Sequence, residues 1–106
     1  MRLVMATAAK TVYSHITKDP EVCGGRACID GTRIRVADIA CLQRDGLTPE
    51  KMLEVYRSLN LAQIHAALSY YYENPQEIED ALQADREVAD KIESDRAEFL
   101  RKQSAR

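Results

Sequence analysis

The chain has 106 residues and is short of several things. There is no tryptophan, one phenylalanine, three prolines and four glycines. The last glycine is Gly46, and the sixty residues after it contain none. A segment that long without glycine leaves little room for tight turns, so the second half reads as helical. No stretch is apolar enough to cross a bilayer. Met1–Thr11 is mildly apolar but lacks the run and cleavage pattern of a signal peptide, which places the expected site of action in the cytoplasm.

Catalytic patterns are missing too. There is no nucleophile elbow, no phosphate loop and no pair of metal-ligand motifs. Asp30, Asp38 and Asp45 are isolated carboxylates with turn or helix-start explanations. The Gly24-Gly25 loop lacks the spacing and following helix of a nucleotide fingerprint. Cys23, Cys28 and Cys41 are odd in number and form no Cys-x-x-Cys, so they read as reduced thiols. With His15 they have zinc-ligand chemistry, but the spacing matches no standard site. The chain is therefore expected to be a non-enzyme with no metal and no cofactor.

What is present is a cluster of special residues near the front. Three of the four glycines lie in Gly24-Gly25-Arg26-Ala27-Cys28-Ile29-Asp30-Gly31-Thr32-Arg33-Ile34-Arg35-Val36. Asp30-Gly31 between two β-prone triplets predicts a hairpin of Ala27–Ile29 and Thr32–Arg35, with positive φ at both loop positions. Tyr13–Thr17 is rich in β-formers and predicts a first strand, stopped by Asp19-Pro20.

Helix punctuation then repeats. A first helix is expected over Ala37–Asp45, ended by a left-handed Gly46 with Leu47 folding back on Leu42. Thr48-Pro49-Glu50 announces a second, over 49–57, with Leu47 and Met52 at staple spacing. Asn60 and Gln63 have the spacing of a capping box for a third, over 61–73. Its expected buried stripe is Leu61, Ile64, Leu68 and Tyr71, leaving Tyr70 and Tyr72 to face outward. Asn74, Pro75 and Glu77 announce a fourth helix, over about 76–102, long enough to overhang its own body. Ile78, Leu82, Val88, Ile92 and Phe99 form its narrow apolar seam, broken by Asp85 and Asp95.

Charge divides the chain. Residues 1–75 carry nine Lys/Arg against eight Asp/Glu, and 76–106 carry six against nine, a balance of -3. The organisation is thus an N-terminal arm (1–12), a body (13–74) and an acidic amphipathic interaction helix (75–106).

Three short helices joined by tight turns have the dimensions of a DNA-binding helix-turn-helix, whose third helix enters the major groove. Gln63, Ser69, Tyr70 and Tyr72 on that helix, with Arg26, Arg33, Arg35 and Arg57 around it, are the candidate DNA contacts. The third helix itself has no Lys or Arg, which leaves a non-DNA-binding interaction or dimerisation module as the alternative. The seam residues Ile78, Leu82, Val88, Ile92 and Phe99 are the candidate partner contacts. A homodimer is expected, since symmetric operators match two-fold proteins.

Four segments together carry a resemblance. They are Ile16-Thr17-Lys18-Asp19-Pro20, Gly24-Gly25-Arg26-Ala27-Cys28-Ile29 continuing through Gly31-Thr32-Arg33-Ile34, Gly46-Leu47-Thr48-Pro49-Glu50, and Tyr56-x-x-Leu59-Asn60 through Ala67-Leu68-x-Tyr70-Tyr71. Over about Tyr13 to Asn74 the chain resembles the bacterial family known as domain of unknown function 433. The resemblance implies a mainly α, homeodomain-like or winged helix-turn-helix fold. It also implies a VapB-type antitoxin, partnered by a PIN-like ribonuclease toxin and repressing its own operator DNA. Two positions depart from the family pattern. Arg57 stands where proline usually follows the tyrosine, and Asn60 stands where the cap is usually threonine.

Overall fold

The computed structural model describes the backbone of residues 9–10 and the whole of residues 13–104. The rest of the expected arm (1–12) lies outside the described residues. The chain is mainly helical, with a small sheet near its start. The strands are β1 (Ala9–Lys10), β2 (Ile16–Lys18) and β3 (Ala27–Ile29), in the order β1-β2-β3 and all antiparallel. The helices are α1 (Val36–Arg44), α2 (Pro49–Val55), α3 (Leu61–Glu73) and α4 (Pro75–Ser104).

The expected first strand is shorter and later than Tyr13–Thr17. His15 adopts φ 70°, which breaks extended backbone, and pairing starts only at Ile16. In β2, Ile16 then faces Ile29 and Thr17 faces Cys28.

The expected hairpin also contracts. Only Gly31 takes positive φ, at 81°, while Asp30 does not. A left-handed residue at the third turn position alone is the pattern of a type II turn. The Ile29 carbonyl closes it, accepting from the Thr32 amide at 3.0 Å and the Thr32 hydroxyl at 2.8 Å. The returning segment makes one bridge, Cys28 to Arg35, because Arg35 is already the N-cap of α1. Asp38 accepts from the Arg35 amide at 2.9 Å and fixes that start.

Local punctuation controls the helical part. At the end of α1, Gly46 has φ 92°, its amide donates to Gln43 and the Leu47 amide donates to Leu42. This is the paired bonding of a Schellman ending. Thr48 caps α2 by accepting from the Lys51 amide, with Pro49 at the first position. Asn60 and Gln63 exchange bonds of 2.8 and 2.9 Å at the start of α3. Asn74 and Glu77 behave differently from the expected cap. The Asn74 side chain donates to Tyr13 and to the Tyr70 carbonyl, and Glu77 takes Lys18 and Tyr70.

α1 lies at the centre and packs on β3, α2, α3 and α4. Ile16, Ile29, Val36, Ile39, Met52 and Ile64 are its fully buried neighbours and members, and they form the core. On α3 the buried stripe is Ile64, Ala67, Leu68 and Tyr70. Leu61 is exposed and Tyr71 only half-buried, so the expected stripe is rotated at both ends. Only Ile78 and Leu82 of α4 are buried. The remainder projects, and the molecule extends 63 × 42 × 25 Å.

Candidate interaction surfaces

The arginines expected to face DNA fall into two groups. Arg35 is the N-cap of α1, which points its guanidinium at α4. It bonds Asp38 at 2.8 Å and Asp85 at 2.9 Å. Its partners raise its pKa, Asp85 foremost and then Asp38. Arg26, just before β3, reaches the same Asp85 carboxylate at 3.2 Å. Arg35 is therefore held in a partly buried ion cluster, and Arg26, itself 45% exposed, pairs with it at the surface. Arg33, at the turn, and Arg57, between α2 and α3, are exposed and make no ion pair among the described residues. The cluster was the piece that sequence reasoning missed. Its signal was Asp85 itself, a charge interrupting an apolar seam and so in need of a partner.

Tyr70 is a correction. It is 3% exposed, stacks edge-on against Tyr13 at 4.8 Å, and donates its hydroxyl to Glu77 at 2.8 Å. Burial first, then that hydrogen bond, raises its pKa. With β2 on one side and α4 on the other, its ring cannot serve as an outward contact. Gln63 is used as a cap and Ser69 is exposed. Tyr72 is 60% exposed, and its hydroxyl accepts from Gln43 of α1. Gln43, His65, Ser69 and Tyr72 border an open groove of about 450 Å³ between α1, α2 and α3.

The seam of α4 also divides. Ile78 and Leu82 are 2% and 6% exposed and belong to the core, so they are withdrawn as partner contacts. Val88, Ile92 and Phe99 are each about 60% exposed, and Leu100 lies beside them. The acidity of the helix is equally uneven. Glu77, Glu79, Asp80 and Asp85 precede its first basic residue. Three of these four pair with the body, Glu77 with Lys18, Glu79 with Arg44 and Asp85 with Arg26 and Arg35. Tyr71 also donates to Glu79, and with Arg44 it holds that carboxyl below its ordinary range. From Arg86 to Ser104 the helix has five basic and five acidic residues and no net charge. What reads from the sequence as an acidic interaction tail is an acidic docking half followed by a neutral free half.

Cys23 and Cys28 are hydrogen-bonded neighbours, and Cys41 takes no part in that contact. Cys41 is exposed on α1. Cys23 donates to the Arg33 carbonyl at 3.3 Å, and Cys28 is buried in β3. Burial, then a hydrogen bond with Cys23, pushes the Cys28 thiol up to about 12. Among the described residues no three His, Cys, Asp or Glu side chains group as a metal site, and no helix is long and apolar enough to cross a membrane.

A small three-stranded sheet, three short helices and one long helix define the class, a small and mainly helical module. The family model described as protein of unknown function (DUF433) matches residues 16–71, more than half of the chain, and the chain belongs to that family. It is similar to the uncharacterized protein y4eO of Sinorhizobium fredii, at 37% identity over 60 residues. That stretch is 57% of this chain and 27% of the relative, so the chain spans about a quarter of that protein's length. A crystal structure of a DUF433 member from Anabaena variabilis aligns with a TM-score of 0.62 and 33% identity, over 65% of this chain and 68% of the other.

Proposed function

We propose that the chain is an antitoxin-like regulator acting in the cytoplasm as a dimer. α2 and α3 serve as a homeodomain-like helix-turn-helix that meets operator DNA. The free half of α4 is the protein-binding element, and a PIN-like ribonuclease is the toxin held by the complex. One observation carries this reading. Val88, Ile92 and Phe99 stay about 60% exposed on a helix whose earlier turns are packed and ion-paired to the body through Glu77, Glu79 and Asp85. An apolar row of that kind on an extended helix suits burial against another protein.

The DNA contact set supported by exposure is Arg33, Arg57, Ser69 and Tyr72. A second reading has its own observation. Arg26 and Arg35 are tied to Asp85, and α3 carries no Lys or Arg. Phosphate neutralisation supplies most non-specific affinity, so this arrangement also suits a module that binds protein alone.

The test is capture of the tagged full chain from its native host at low salt, with identification of bound protein and sequencing of bound DNA. Recovery of a PIN-like ribonuclease together with DNA upstream of the chain's own gene is the expected result. Protein without enriched DNA would replace the leading reading by the second. Recovery of neither would remove both.

A further inference from the structure

We propose that the free half of α4 pairs with the same half of a second copy of this chain, running antiparallel. The proposal rests on the reading of that half as a protein-binding face and names its occupant. Three observations support it.

The first is charge. Arg86–Ser104 is balanced, five against five, so two copies approach without net repulsion. A strongly acidic or basic partner would find no complementary field there.

The second is the order of the charges along the seam. Val88, Ile92, Asp95 and Phe99 follow a heptad, with Lys91 and Glu98 on one flank and Arg96 on the other. A parallel pair would oppose Asp95 to the partner's Asp95 and Lys91 to the partner's Arg96. Both are like-charge contacts, and they disfavour that orientation. The antiparallel pair sets Val88 on the partner's Phe99 and Phe99 on the partner's Val88. It also sets Lys91 beside the partner's Glu98, twice by symmetry. Asp95 then falls in the two central layers opposite the partner's Ile92, where Lys91 of its own helix reaches it at 3.1 Å and neutralises it.

The third is length. In this register the partner's Lys102 lies opposite Asp85, where Arg26 and Arg35 of the body meet α4, so the paired stretch fills the overhang from Arg86 to Arg101. The two bodies then lie about 40 Å apart along the shared axis at 1.5 Å per residue, near the ~34–36 Å spacing of half-sites one DNA turn apart.

The experiment is sedimentation of the full chain and three variants at 100 mM salt, across micromolar concentrations. The wild type is expected to be a dimer. Lys91→Glu alone and Glu98→Lys alone each turn two attractive contacts repulsive and should weaken dimerisation about tenfold. The double swap should recover it to within about threefold. It keeps the repulsion from Asp95 that Lys91→Glu introduces within the helix, so recovery reports the contact between chains. A monomeric wild type, or a double swap no tighter than the singles, would overturn the proposal. Ile92→Asp in the capture experiment separates the two failures. If the chain is monomeric yet Ile92→Asp loses its protein partner, only the self-pairing is wrong. If Ile92→Asp changes nothing, the face is not a binding surface at all.

Discussion

Arg35 and Asp85 stand 50 residues apart in the chain and 2.9 Å apart in the fold. This contact, shared with Arg26, fastens the middle of α4 to the start of α1.

The pair makes stability depend on acid. Arg35 foremost, opposed by burial and assisted to a lesser degree by Arg26, holds the Asp85 carboxyl below its ordinary range. A carboxyl depressed in the folded state stabilises above the unfolded value, about 3.9, and loses that contribution as pH falls through the lower folded value. Asp85 is 38% exposed, so solvent screening limits the effect to about 1 kcal/mol. Asp85→Asn should lower the melting temperature at pH 7 by about 4–8 °C and flatten the decline below about pH 4. Melting identical to wild type at pH 7 would show that the clamp contributes nothing.

The same clamp predicts that two neighbouring arginines behave differently. Arg33→Ala should reduce the salt slope of DNA retention by about 1 and leave the melting temperature unchanged. Arg35→Ala should lower the melting temperature, since it removes the bonds to Asp38 and Asp85. If Arg33→Ala leaves the slope untouched, the turn does not meet phosphate.

Why only one of these roles was legible in the sequence is a matter of range. Thr48, Asn60 with Gln63, and Gly46 with Leu47 bond within three to five residues, so their spacing alone predicted the caps and the Schellman ending. The Arg35–Asp85 contact depends on where two helices cross, which no local pattern encodes. Tyr70, Tyr71 and Tyr72 are the sharper case. Three identical residues in a row leave the periodicity free to choose, and Tyr13 and Glu77, brought in by tertiary folding, select Tyr70 for the interior. The strand at Tyr13–Thr17 fails for a backbone reason, the left-handed His15, which composition does not announce.

Gly46 offers a test of one such local device. Its φ is 92°, and a methyl group there would meet open space. Gly46→Ala therefore costs backbone strain alone, about 1–2 kcal/mol. A lowered urea midpoint with an unchanged slope is the expected outcome. A midpoint equal to wild type would mean that the α1–α2 turn relaxes without penalty.

The thiols should separate cleanly under alkylation. Cys41 is exposed, whereas Cys28 is buried and its pKa is pushed up to about 12. Only the thiolate reacts, so iodoacetamide at pH 8 should modify Cys41 in the native protein and reach Cys28 only in denaturant. Native-state modification of Cys28 ahead of Cys41 would contradict the placement of β3.

α4 runs from Pro75 to Ser104, and its last buried residue is Leu82. More than half of its turns consequently hold their shape on intrahelical bonds and exposed pairs such as Lys91–Asp95. A helix so unsupported is marginal in water and opens readily. Arg86, Lys91, Arg96, Arg101 and Lys102 lie along it, each a cleavage point for a trypsin-like protease. The survival time of the uncovered chain is therefore governed by its far end, and whatever occupies that end also decides how long the molecule lasts.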